Sequence, residues 1–196
     1  MSSISVSVKV NEQKVFVSSP YNREFVKRAR ELGGKWENDV WQFDARDEAR
    51  VRELCLRIYG TDGTPTPLAT IQINLDAAMR HNRSDDELIV GPVTVLKKFN
   101  RDSAPKLGTG CVVIGGGLKS YGGSRNNPKI TYESDTIIEV RGVPQIIANK
   151  LAIELPEAYA IIVGKADDGL APDEQSLVVA LRSLSPERRQ LVLAAI

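Results

Sequence analysis

The sequence predicts an α+β fold with three parts: a small strand–helix–strand–helix module over residues 1–60, a β-rich, barrel-like domain over 68–165, and a helical tail over 172–196. Three observations predict it. The first residues alternate apolar and polar. Two stretches, 22–32 and 47–59, carry apolar residues at helical spacing. After the Gly/Pro-rich segment TDGTPTP, short β-prone runs recur between Gly, Pro and Asn.

In the N-terminal module, Ile4, Val6, Val8 and Val10 point one way along a half-buried strand. Asn11-Glu12-Gln13 reads as a turn, and Val15 and Val17 resume the alternation, so a hairpin is expected. Ser18-Ser19-Pro20 breaks it. A helix follows from Asn22 to Leu32, with Phe25, Ala29 and Leu32 at i, i+4 and i+7 and Val26 beside them. Gly33-Gly34 supplies its stop. The segment Trp36–Phe43 returns as a strand with a turn at Glu37-Asn38-Asp39. Asp44 or Asp47 caps a second helix, whose stripe is Val51, Leu54, Cys55 and Ile58 and which ends at Gly60.

Thr61 to Pro67 reads as a linker. Beyond it the β-prone runs are Thr70–Leu75, Leu88–Val95, Cys111–Ile114, Lys129–Tyr132 and Thr136–Val140, for which a small β-rich domain or barrel fits best. Asp76–Asn82 suggests one or two helical turns, residues 144–155 suit a helix or a strand, and Ala158–Val163 suits a strand. In the tail, Leu177, Val178, Leu181 and Leu184 form one stripe. Ser185-Pro186 starts a second helix, with Leu191, Val192 and Ala195 as its stripe.

Composition narrows the function. Hydrophobic content of 42% and charged content of 26% are ordinary for a globular chain. No apolar run reaches the ~18 residues a membrane helix needs, and the start of the chain lacks a signal-peptide apolar region, so a cytoplasmic location is expected. Cys55 and Cys111 are too few for a disulfide framework and read as buried thiols. The net charge of +1 is segregated: residues 1–60 and 61–150 each carry 11 basic and 9 acidic groups, and 151–196 carry 4 and 7. The sharpest asymmetry lies in 97–129, where Lys97, Lys98, Arg101, Lys106, Lys119, Arg125 and Lys129 face only Asp102. Such a local patch suits a polyanion.

Catalytic motifs are mostly absent. One histidine, His81, lies near Asp85 and Asp86; it reads as a base or ligand, or more simply as a solvated loop residue. Asp85-Asp86-Glu87 reads as a cation site or a solvated acidic turn. No serine or cysteine sits in a nucleophile elbow. A single histidine cannot build a His/Cys metal cluster. The expectation is therefore a non-catalytic protein with no cofactor and no metal.

Two features point to nucleic acid. On the first helix, with Phe25 at 0°, Arg23, Lys27 and Arg30 fall at about 160°, 200° and 140°, opposite the apolar stripe. That face suits phosphate contacts, or is simply solvated. The segment GTGCVVIGGGLKSYGGSRNNPK matches no phosphate-cradling motif. Its glycines suit turns needing positive φ. It also carries Lys119, Tyr121, Arg125 and Lys129, the residue types of a phosphate-tracking, base-stacking loop.

Across VFVSSPYNREFVKRARELGGKWENDVWQFDARDEARVREL the chain resembles a known module. A strand and a Pro-Tyr lead into a basic helix ending in Gly, then Lys-Trp, a polar turn and a Trp-x-Phe strand. This resembles the small domain of plasmid- and phage-encoded primase-like proteins, and is similar to the HARP domain of annealing helicases, which recognises forked or single-stranded DNA. The resemblance covers about 45 of the 196 residues and rests on Leu32-Gly33-x-Lys35-Trp36 with Trp41-x-Phe43. Gly34 departs from the small or charged residue usual there. No motor accompanies the module, so no catalysis is implied. The resemblance implies Arg23, Lys27, Arg30 and Lys35 as phosphate contacts. Trp36, Trp41 and Phe43 pack the strand on the helix or offer a stacking platform; stacking is worth roughly 1–3 kcal/mol per base.

The expected function is a nucleic-acid-binding accessory protein of a mobile element, favouring single-stranded or forked DNA. Its expected contacts are Arg23, Lys27, Arg30, Lys35, Trp36, Lys97, Lys98, Arg101, Lys119, Tyr121, Arg125 and Lys129. The alternative is a protein–protein interaction module that inhibits or recruits a nucleic-acid machine, such as a host-defence inhibitor. Its acidic C-terminal helices would dock a partner or a second copy of the chain.

Overall fold

The computed structural model describes residues 6–11 and 13–162. The first sheet is built from two hairpins and a helix. Strands β1 (Ser7–Val10) and β2 (Lys14–Ser18) pair antiparallel, with Val8 opposite Val17. Asn11 Oδ1 accepts from the backbone N–H groups of Gln13 and Lys14 at 3.0 and 2.8 Å, which fixes the turn. Helix α1 (Arg23–Glu31) is capped by Asn22, whose Oδ1 accepts from Glu24 and Phe25 N–H. Its end is a double-glycine stop. Gly33 N–H donates to Arg30 O and Gly34 N–H to Ala29 O, the paired bonds of a left-handed C-terminal cap. Gly34 is required for space: a Cβ there would sit 2.4 Å from the Phe43 ring.

Strands β3 (Lys35–Glu37) and β4 (Val40–Asp44) follow, giving the antiparallel order β1-β2-β4-β3. Asn38 and Asp39 both take positive φ, as a two-residue hairpin turn demands. Asp44 caps the 3-10 turn Ala45–Asp47, and helix α2 (Glu48–Tyr59) starts from Asp47, which makes no side-chain capping bond. Phe25, Ala29, Trp41, Phe43, Val51, Leu54, Cys55 and Tyr59 close a core against Val15 and Val17. The Tyr59 hydroxyl donates to Pro20 O at 2.8 Å, which satisfies its buried polar end.

The segment after α2 is anchored. Asp62 is buried, its carboxylate accepting from the Thr64 backbone and hydroxyl and from Arg52 at 2.9 Å. Gly60 takes the left-handed conformation, and a Cβ there would lie 2.6 Å from Ile147 and 2.8 Å from Pro144. The described residues thus form one compact unit with two hydrophobic cores.

The second core holds β5 (Leu68–Asn74), α3 (Leu75–His81), β6 (Glu87–Val90), β7 (Val93–Lys97), β8 (Lys106–Leu107), β9 (Cys111–Gly115), β10 (Leu118–Lys119), β11 (Thr131–Tyr132), β12 (Ile137–Pro144), α4 (Gln145–Glu154) and β13 (Tyr159–Ile162). The class is α+β. The expected barrel is not formed: among the described residues the sheets β13-β5-β12-β9, β6-β7-β8 and β10-β11 all stay open. Leu75, Ala77 and Ala78 of α3 and Ile147 and Ala148 of α4 occupy the core beside Ile71, Ile73, Ile138 and Val140. Helices cover the apolar sheet face that closure would otherwise have to bury. The expected helical tail over 172–196, together with Ile4, Glu12 and Val163, lies outside the described residues. Among the described residues no helix is long and apolar enough to cross a membrane.

Candidate nucleic-acid interface

Two cationic surfaces emerge, and each is positioned by local structure. On α1, Phe25 and Ala29 are buried, which turns Arg23, Lys27 and Arg30 outward, and all three are exposed. None of these three joins an ion pair among the described residues, whereas Arg28 is held by Glu31 at 3.0 Å. The glycine stop then delivers Lys35 and Trp36 directly onto the edge strand β3, where both are exposed.

The structure separates the three aromatics of the Trp-containing hairpin. Trp41 and Phe43 are buried under α1, with Trp41 meeting Phe25 edge-on at 6.1 Å. Trp36 is 52% exposed and touches Trp41 edge-on at 5.6 Å. Strand alternation places Trp36 on the same face as its cross-strand partner Trp41, but β3 ends the sheet and leaves one side of the ring open.

The second surface gathers the 97–129 segment. Two loops meet where Gly122 N–H donates to Arg101 O at 3.1 Å. Arg101 and Arg125 line one open cleft of about 370 Å³ together with Asn100 and Asp102. Asp102 pairs with Arg101 at 2.9 Å. Arg125 makes no ion pair among the described residues, and Lys119 and Arg125 are exposed. Lys97 is held by Glu87 at 3.1 Å and Lys129 by Asp85 at 3.5 Å. Tyr121, at φ 39°, is 71% exposed.

Lys98 is a correction. It is 1% exposed, and its ammonium donates to Thr131 Oγ1 at 3.3 Å. Burial pulls its pKa below the usual lysine value. A side chain so enclosed braces the loops from beneath and touches no phosphate. Lys98 shares the parity of buried Leu96 on the strand that leads to it, and this places it inside.

Phe99, which is not among the expected contacts, belongs to this surface, as does Lys106, one of the seven cations of 97–129. Phe99 is 54% exposed, with the Lys97 and Lys106 ammoniums 5.9 and 5.6 Å from its ring centre. The signal was present in Lys97-Lys98-Phe99-Asn100-Arg101, an aromatic interleaved with cations.

His81 lies 3.4 Å from Glu157 in an exposed pair. Among the described residues no group of three His, Cys, Asp or Glu is placed to hold a metal. Burial pushes the Cys55 thiol up to about 12 and the Cys111 thiol up to about 11, so both stay protonated and unreactive at neutral pH.

No protein-family model, curated protein or solved structure matches this chain.

Proposed function

We propose that the protein is a non-catalytic nucleic-acid-binding accessory protein that grips phosphates through cations and adds aromatic stacking. The observation that carries this reading is the cleft shared by Arg101 and Arg125, gathered from a segment with seven cations and one carboxylate. The α1 face with Lys35 and Trp36 supports it as a second surface. The resemblance to HARP-like and primase-associated modules supports it too, and favours single-stranded or forked DNA and a mobile-element origin.

Phosphate neutralisation releases counterions, so affinity depends steeply on salt. Fluorescence polarisation of the full chain with single-stranded, duplex and forked oligonucleotides, at two salt concentrations, tests the proposal. Binding that weakens as salt rises is the expected result. Absence of binding to all three at low salt overturns it.

A further inference from the structure

We infer that the cleft beside Arg101 and Arg125 takes single-stranded nucleic acid, with Phe99 and Tyr121 each stacking on a base. This rests on the nucleic-acid reading above and narrows its ligand to strands whose bases are unpaired.

Single exposed aromatics are common and need no explanation. These two differ from scattered ones in three respects. First, they flank the same junction. Phe99 lies two residues before Arg101 and Tyr121 one residue before Gly122, and the Gly122 N–H to Arg101 O bond of 3.1 Å joins their loops. Second, both loops are braced from below. Lys98 donates to Thr131 Oγ1 at 3.3 Å, and that oxygen lies 2.7 Å from the Tyr121 carbonyl. The rings are thus presented on a fixed framework, which lowers the ordering cost of binding. Third, cations lie beside Phe99 and along the cleft. Lys97 and Lys106 sit within 6 Å of the Phe99 ring, and Arg101 and Arg125 line the cleft.

This combination selects the ligand. In a duplex the bases stack on one another, and an aromatic side chain on a surface loop meets only phosphate and groove. In a single strand every base offers a free face, and stacking is tolerant of sequence. A base arriving on Phe99 displaces the Lys106 ammonium from the ring and places it beside the flanking phosphate, while Lys97 keeps its pairing with Glu87. Base contact and phosphate contact are therefore coupled at this position.

The test measures binding of the full chain, at one low salt concentration, to an oligothymidylate, to an abasic strand of equal length and to a duplex. The expected result is binding of the oligothymidylate about thirtyfold or more tighter than of the abasic strand, as two added stacks require. Phe99→Ala and Tyr121→Asn each remove about half of that preference on a logarithmic scale, and the two together abolish it. Asn is chosen because it tolerates the left-handed backbone at 121. Phe99→Trp retains the preference. Three results overturn the inference while leaving nucleic-acid binding intact: equal affinity for oligothymidylate and abasic strand, a preference that persists in the double variant, or a preference that vanishes in Trp36→Ala instead. If the wild-type protein holds none of the three probes, both readings fall.

Discussion

Trp36 and Trp41 meet edge-on at 5.6 Å across the β3–β4 ladder, yet the first is half in solvent and the second is buried beneath α1. The pair divides structural and surface roles between two identical side chains. Removing Trp41 opens a cavity beside Phe25 and Phe43, and such truncations cost about 3–5 kcal/mol. Removing Trp36 forfeits the edge contact, worth about 1 kcal/mol. Urea denaturation should therefore show a large loss of midpoint for Trp41→Ala and a small one for Trp36→Ala. Equal losses would place Trp36 in the core and end its candidacy as a platform.

Asp62 fixes the segment between the two cores. Its carboxyl is held below the usual carboxylate value of 3.8, first by the Thr64 hydroxyl and then by Arg52, against the opposing cost of burial. A depressed carboxyl contributes stability that is present above 3.8 and lost as pH falls through the lowered value. Asp62→Ala leaves the Thr64 N–H and Arg52 without this partner, at a cost of about 2 kcal/mol. The variant should unfold at lower urea than wild type at pH 7, and the difference should shrink in acid. A difference that is the same at both pH values would contradict the ionised-carboxylate account.

The N-terminal module was largely legible because its signals are local. Phe25 and Ala29 as buried stripe and Gly33-Gly34 as stop act within a few residues, and Asn22, read as the first residue of the helix, proves to be its cap. The α4 segment resisted assignment because its apolar residues lie all round the helix. Ile147 and Ala148 are buried, whereas Ile146 and Ile153 are exposed, so no single stripe marks the core side. The open sheets were not legible, since closure depends on whether helices fill the apolar face, a tertiary outcome. Lys98 and Phe99 exchanged roles for a similar reason. Residue type favours lysine outside and phenylalanine inside, but strand parity and the Thr131 brace decide otherwise.

Alkaline pH provides a further check on the buried thiols and phenols. Burial raises the pKa of Cys55 to about 12 and of Cys111 to about 11, and also raises those of Tyr59, Tyr132 and Tyr159. For the thiols, the stability is fully present below the ordinary value of 9.0 and is lost as pH rises through the raised values. Lys98 works the other way. Its lowered pKa makes the folded state shed its proton first, so its contribution rises towards 10.5. Five groups oppose one, and the urea midpoint should fall between pH 9 and 12. Cys55→Ala should make the fall shallower. A midpoint that stays flat to pH 11 would mean that these side chains are solvated.

Salt dependence separates the cations that touch phosphate from those that do not. Each phosphate contact contributes about 0.7 to the slope of log affinity against log salt on single strands. Arg125→Gln should lower the slope by about that amount. Arg101→Gln should do the same and lose more affinity, because Asp102, its partner at 2.9 Å, is left uncompensated in the cleft. Asp102→Asn should then tighten binding. Lys98→Met removes a cation of equal formal charge from the same segment, yet the slope should not change, because that ammonium is enclosed against Thr131. Titrations of the four variants at several salt concentrations decide the matter. If Lys98→Met lowers the slope as Arg125→Gln does, then the segment acts only through its summed charge, and the cleft has no special place in binding.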